Sequence, residues 1–297
     1  MKQNRMFSDL LNPLYEGCDL ENLCVATYLV GAEKDEGIVI KAQSIGIEQT
    51  TGSWVDVPAE TDEVRSKYCS KVIGIYEVPA YENQTNVNLA VGKDDLRFYV
   101  IRIGYPVDNI RNNIPLLIAS ITGNIMSMPY LKLLDIDFPE SFVKDFQGPK
   151  FGINGIRDIL HAYNRPLLNN MIKPCTGYTP DVGEKLFYEA SAGGVDIIKD
   201  DELIGGDRVF NKIEDRVKAN MAAAKRAEEI KGEPTLYACN ITDDVTKLKE
   251  NAMKVINNGG NCIMVDVHGV GYSAVRALAE DPEITVPILG HSCFNGA

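Results

Sequence analysis

A short apolar run, GGVDIIK from Gly193 to Lys199, ends on a lysine and meets three carboxylates at once, Asp200, Asp201 and Glu202. On an extended strand alternate side chains share a face, so Val195, Ile197, Lys199 and Asp201 point together, with Glu202 at the start of the loop. Two chemistries fit this knot. In one, Lys199 pairs with Asp201 as an ion bridge in a solvated loop, as charge runs commonly do. In the other, carboxylates in excess over one ammonium hold a divalent cation. Mg²⁺ takes about six oxygens at roughly 2.0–2.1 Å, from a few carboxylates, waters and substrate. An ammonium cannot ligate it, but a carbamate, formed when the neutral amine takes up CO2, is a third carboxylate. That chemistry requires a lysine whose pKa is lowered by burial or by a nearby cation. Lys173, at the end of the preceding apolar run, is the candidate neighbour.

Such a knot needs a scaffold that gathers strand ends. In the first half, LCVATYLV (Leu23–Val30), KVIGIYEVPAY and LRFYVIRIGYP read as strands, rich in β-branched and aromatic residues and stopped near prolines. The pattern around Gly37–Ala42 is ambiguous, and NNIPLLIASITGNIM reads as a buried element leading into a loop at Gly123-Asn124. The Pro- and Gly-rich stretch DIDFPESFVKDFQGPKFG marks a domain boundary, giving an N-terminal α+β domain over 1–145 and a second domain over 146–297. There, PLLNNMIKP, GVDIIKDDE, TLYACNITD, NCIMVDVHG and TVPILGHS alternate with helix-like stretches that close on glycine. Repeated strand–helix units predict a parallel sheet with right-handed crossovers. No phosphate-cradling glycine motif follows the first strand, which weakens a nucleotide-binding sheet. The polar residues at the strand ends, Lys173, Lys199 to Glu202, Asn240, Asp266, His268 and His291, favour a (β/α)8 barrel, whose chemistry sits at that end.

Composition bounds the partners. The 297 residues are 45% hydrophobic, enough for one or two cored domains. A net charge of −12 argues against nucleic acid or an anionic membrane as partner. Seven cysteines form an odd set without CxxC pairing; the three inside apolar runs, Cys24, Cys239 and Cys262, read as buried small hydrophobes, and the chain as one of a reducing compartment. With no secretory or membrane-spanning stretch in the sequence, a cytoplasmic location is expected.

The motif GGVDIIKDDE resembles the activation motif of the RuBisCO large-subunit superfamily, close to GGxDxxKxDE. FQGPKFGINGIRDILHAYNRPLLNNMIKP resembles the approach to that family's first barrel strand, and GIEQTTGSW its N-terminal active-site loop. TGNIMSMPYLKLLDIDFP is similar to its interdomain segment, and MVDVHGVGYSA and ILGHSCFNGA to its fourth and fifth strands. The resemblance implies an N-terminal ferredoxin-like α+β domain followed by a TIM barrel, here incomplete with about five strands. It implies Lys199 as the carbamylated lysine, with Asp201 and Glu202 as the other Mg²⁺ ligands. Asp200 is then non-ligating, in agreement with the alternation. Lys173 matches a lysine near the enolate, a candidate for proton transfer, and His291 the fifth-strand active-site histidine. Glu48 and Asn124 match polar residues facing substrate and metal, with Glu48 serving a neighbouring subunit's site in a homodimer. Ser53 and Trp54 match a phosphate-binding Thr-Trp pair. His268 reads as a packed or supporting histidine, and His161 is given no role.

The departures narrow the chemistry. Carboxylases of the family carry KPK at the first strand, where this chain has KPC with Cys175, and an arginine after the fifth-strand histidine, where it has Ser292. Losing two cations weakens a bisphosphate site. The sequence therefore resembles the non-carboxylating, RuBisCO-like branch, and the expected activity is Mg²⁺-dependent enolisation of a sugar phosphate or sugar-acid phosphate, as an isomerase, decarboxylase or enolase. Methionine-salvage enolases of the branch place a lysine base where this chain has Asn124, which counts against that activity. The alternatives are a genuine ribulose-bisphosphate carboxylase homologue and a non-catalytic remnant acting as an interaction module. A family barrel has eight strands, and the sequence stops just after the fifth. Either the chain is a truncated copy of an enzyme, or a partner covers its open edges.

Overall fold

A computed structural model describes residues 19–33, 35–52, 55, 57–79 and 96–293. The chain divides into two compact units, one ending at Phe146 and the other starting at Gln147.

The first unit is built on four antiparallel strands, β1 (Leu23–Glu33), β2 (Lys71–Val78), β3 (Leu96–Pro106) and β4 (Leu131–Asp137), in the order β2-β3-β1-β4. Helices α1 (Ile38–Glu48), α2 (Asp62–Tyr68) and α3 (Ile114–Ile121) connect them. This is the split βαβ, ferredoxin-like arrangement expected from the sequence. Alternate residues of β1, Cys24, Ala26, Tyr28 and Val30, enter a core completed by Ile101, Ile103 and Tyr105 of β3 and by Ala42, Ile45, Leu117 and Ile121 of the helices. The buried Tyr28 hydroxyl donates to the Ile121 carbonyl at 2.7 Å and lies 3.0 Å from Tyr105 Oη, so its polar end is satisfied. Two expectations change here. The ambiguous stretch after Gly37 is α1, which two isoleucines open and which buries Ala42, Ile45 and Ile47. The supposed interdomain segment contains β4, an edge strand whose weak, half-exposed alternation gave little signal.

The second unit holds five parallel strands in sequential order, β5 (Asn169–Met171), β6 (Ile197–Lys199), β7 (Leu236–Asn240), β8 (Cys262–Asp266) and β9 (Ile288–His291). Ahead of them runs α4 (Gly152–Leu160), and between them run α5 (Pro180–Ala192), α6 (Ile213–Lys231), α7 (Val245–Asn257) and α8 (Tyr272–Glu280). This is a half-barrel, five strands of a TIM-type (β/α) sheet. Strand alternation builds two cores. Tyr237, Cys239, Ile263 and Val265 pack outward on Phe187, Val217, Leu248 and Val255 of the helices. Leu236, Ala238, Cys262 and Met264 face the other way, with Leu160 and Ala162. Continued one step, the inward face reaches Asn240 and Asp266, so two polar residues emerge at the C-terminal ends of their strands. The first strand departs from expectation. All three residues of β5 are exposed, because it pairs only with β6, and it ends at Met171, two residues before Lys173. Among the described residues no helix is long and apolar enough to cross a membrane.

A buried carboxylate fixes the base of the first two strands. Asp196 accepts a two-pronged bond from Arg165 at 2.7 Å on each oxygen, and Leu168 N–H donates to it at 2.8 Å. Burial alone would raise this carboxyl, but Arg165 and the Leu168 amide bring it below the usual range. A lowered carboxyl adds stability that is fully present above the unfolded value, about 3.9, and fades as pH falls through the folded one. Asp196→Asn is therefore expected to flatten the acid limb of the unfolding free energy measured by urea titration below pH 4. An acid limb as steep as the parent's would remove Asp196 from the balance.

Candidate active site

The charged knot separates into two environments. Asp200 is fully buried beneath the strand ends, bound by Arg216 Nε at 3.1 Å, Tyr237 Oη at 2.7 Å and the Asn240 amide at 3.0 Å. The Arg216 guanidinium also donates to the carbonyls of Gly206 and Asn211 at 3.0 Å and of Asn240 at 2.8 Å. A charge pair this dry is tolerable because every donor has an acceptor. Arg216 went unremarked in the sequence reading. Its signal was available, since it stands on the buried stripe of α6 among Ile213, Val217, Asn220 and Ala224.

Asp201 faces the other side. Its Oδ2 accepts from Lys173 Nζ at 2.5 Å and its Oδ1 from the Leu203 amide at 3.1 Å. Burial alone would raise the Asp201 carboxyl, but Lys173 and the amide hold it below the usual range. Lys173 donates also to Cys175 Sγ at 3.1 Å, and Asp201 first, then Cys175, push its ammonium well above the ordinary lysine value. The lysine expected at the end of a buried run has its side chain 52% exposed, since β5 is open to solvent. The simple ion bridge considered for Lys199 and Asp201 is thus made by Lys173 instead. Lys199 itself is only 6% exposed. Its Nζ donates to the Asp200 carbonyl at 3.2 Å and reaches Glu202 Oε2 at 4.0 Å.

Asn240 holds this loop from the next strand. Its Nδ2 donates to the carbonyls of Asp201 and Glu202 at 3.2 Å each, and its Oδ1 accepts from Thr242 N at 3.0 Å and Thr242 Oγ1 at 2.6 Å. The glycines closing DDELIGG explain themselves here. A Cβ on Gly205 would sit 2.5 Å from the Thr242 carbonyl, and Gly206 has φ +58° with Asp243 beside it. His291, ending β9, places Nε2 3.8 Å from Glu202 Oε2 and Nδ1 3.1 Å from Asp266 Oδ1. Burial, the largest influence, raises the Asp266 carboxyl, with His291 acting against it. Lys173, Lys199, Asp201, Glu202 and His291 therefore converge at one end of the half-barrel.

The remaining candidates lie elsewhere. Glu48 is the last residue of α1, on a helix rather than a loop, and Asn124 opens a 3₁₀ turn, Asn124–Ser127, that packs against α1 in the first unit. Ser53 and Trp54 lie outside the described residues. His268, expected to be packed or supporting, is exposed in the turn after β8 with its Nδ1 3.0 Å from Tyr272 Oη. His161 caps α4 with φ 54°.

The buried pair gives a direct test. Asp200→Asn or Arg216→Met alone is expected to lower stability by about 3–5 kcal/mol, because each leaves a buried charge unpaired. The double variant should lose clearly less than the sum, as a double-mutant cycle in urea would read. Additive losses would mean that the two groups do not support one another.

The organisation matches known proteins along nearly the whole chain. A family model described as ribulose bisphosphate carboxylase large chain, N-terminal domain, matches residues 10–142, and one described as ribulose bisphosphate carboxylase large chain, catalytic domain, matches residues 152–291. A ribulose bisphosphate carboxylase-like protein of Archaeoglobus fulgidus is 47% identical over 284 residues, 96% of this chain and 64% of the relative. A 2,3-diketo-5-methylthiopentyl-1-phosphate enolase of Geobacillus kaustophilus is 35% identical, over 92% of this chain and 64% of that protein. The crystal structure of a rubisco-like protein from Alicyclobacillus acidocaldarius superposes with a TM-score of 0.78 at 34% identity, covering 93% of this chain and 66% of that one. The chain thus spans somewhat less than two thirds of the length of these curated relatives. With both domain models matched in order, the chain belongs to the ribulose bisphosphate carboxylase (RuBisCO) large-chain family.

Proposed function

We propose that the protein is a Mg²⁺-dependent enolising enzyme of the non-carboxylating, RuBisCO-like branch, acting on a sugar phosphate or sugar-acid phosphate. The observation that carries this reading is the buried Lys199, whose ammonium has one carbonyl at 3.2 Å and one carboxylate at 4.0 Å for compensation. A carbamate formed on that nitrogen would stand beside the Glu202 carboxylate. The donor set also fits Mg²⁺. Asp200 is withdrawn onto Arg216, which leaves a Lys199 carbamate, Asp201 and Glu202 as hard oxygen ligands. Mg²⁺, when bound there, supplies Lewis-acid polarisation of a substrate carbonyl.

The chain's own residues supply the rest. Lys173 stands beside the ligand set with an exposed stem, suited to carry a proton to or from the carbon next to the carbonyl. His291 faces Glu202 and can orient a substrate hydroxyl. Asn240 holds the ligand loop in place through both of its amide hydrogens. Glu48 and Asn124, and Ser53 and Trp54 for phosphate, complete the site in a homodimer on the strength of the family resemblance. Cys175 and Ser292 stand where carboxylases carry cations, which favours a substrate with less phosphate charge than a bisphosphate. The enolase relative from Geobacillus kaustophilus supports proton abstraction beside a carbonyl as the shared step, while Asn124 in place of that branch's lysine favours a different substrate.

Two readouts test the proposal on the intact protein. With 13C-bicarbonate and Mg²⁺, a carbamate carbon resonance is expected that disappears in Lys199→Arg. Solvent deuterium should enter phosphorylated ketoses at the carbon beside the carbonyl, and Lys173→Ala should slow that exchange by about 10²–10⁴-fold. A protein that shows neither the carbamate resonance nor exchange would not be this enzyme.

A further inference from the structure

Next to the oxygen ligands lies a second group of donors with different chemistry. Asp266 ends β8, His291 ends β9, and Cys293 follows two residues on. A carboxylate oxygen of Asp266, a ring nitrogen of His291 and Cys293 Sγ all lie within 4.8 Å of one another. Asp266 is only 8% exposed. Its Oδ1 and His291 Nδ1 are both shut off from solvent and sit 3.1 Å apart, yet neither makes a hydrogen bond. Two buried polar atoms facing one another without a bond is an arrangement that a folded protein ordinarily avoids.

An ion between these atoms accounts for all of this. Nitrogen and oxygen ligands at about 2.0–2.1 Å from a tetrahedral Zn²⁺ are roughly 3.3 Å apart, close to the spacing of Oδ1 and Nδ1. A thiolate, an imidazole and a carboxylate together are a borderline-soft set that suits Zn²⁺ and its neighbours and not Mg²⁺. We propose that Asp266, His291 and Cys293 form a three-ligand site for a divalent transition metal of the zinc class, distinct from the oxygen site at Lys199, Asp201 and Glu202. The fourth position is left to water or to a ligand. Binding through Nδ1 leaves the proton of His291 on Nε2, the nitrogen 3.8 Å from Glu202. A metal here therefore sets the tautomer of a histidine that borders the ligand loop. The inference stands independently of the enolisation reading, because it uses Cys293 and needs neither CO2 nor Lys199.

Co²⁺ reports the difference, since thiolate ligation gives a charge-transfer band in the near ultraviolet that oxygen ligands do not. The intact protein, stripped of metal and kept reduced without bicarbonate, is titrated with Co²⁺ and then with Zn²⁺. The expected result is a thiolate band that saturates at one Co²⁺ per chain and is displaced by Zn²⁺. Cys293→Ser should abolish the band and weaken Zn²⁺ binding by at least about tenfold. Lys199→Ala should retain the band, and unchanged circular dichroism would show that both variants fold. Absence of the band, its survival in Cys293→Ser (which would move the thiolate to another cysteine such as Cys175), or its loss in Lys199→Ala would each overturn the proposal.

Discussion

The pairing of Arg216 with Asp200 is the constraint on which the rest of the candidate site depends. Charges that leave water are costly, and a protein keeps them only where each donor and acceptor is matched. Here the guanidinium collects three carbonyls from two segments, Gly206 and Asn211 in the loop after β6 and Asn240 at the end of β7, besides the carboxylate. One side chain from α6 thereby ties the loop after β6 to the end of β7. Because Asp200 is held on the helix side, the strand alternation forces Lys199 and Asp201 to the opposite side. The geometry of the proposed ligand set follows from a bond that points away from it.

The site is also an exercise in unequal compensation. Asp201 is buried and well supplied with donors, whereas Lys199 is buried and poorly supplied with acceptors. These two residues are two positions apart in sequence, and the difference arises from Lys173, which reaches across from the segment after β5. Sites that run acid–base chemistry at neutral pH are commonly built from such contrasts between neighbouring groups. The clamp at Asn240 holds the main-chain carbonyls of Asp201 and Glu202 from an element of the sheet and not from the loop itself.

Much of this was legible in the sequence, for physical reasons that differ by element. β6 to β9 announced themselves because parallel strands covered by helices read as apolar runs, and their polar ends marked the chemical face, whereas the exposed β5 occupies only the Asn169–Met171 part of its apolar stretch. The alternation at Lys199, Asp200 and Asp201 fixed which acid would stand apart. β4 was missed because an edge strand with half its side chains exposed carries no strong period, and α1 was blurred because its isoleucines suit a strand as well as a helix. The partner of Asp201 could not be read, since Lys173 and Lys199 have the same chemistry and only the register of β5 against β6 separates them. Arg216 was hidden for the opposite reason. A charged residue on a charged-looking helix passes as solvated until the apolar stripe around it is traced.

The reach of Lys173 onto Asp201 has one more consequence. An exposed ammonium already occupies the buried carboxylate. A divalent cation entering the site proposed above would therefore displace a tethered counterion, and loading would be an exchange of one cation for another.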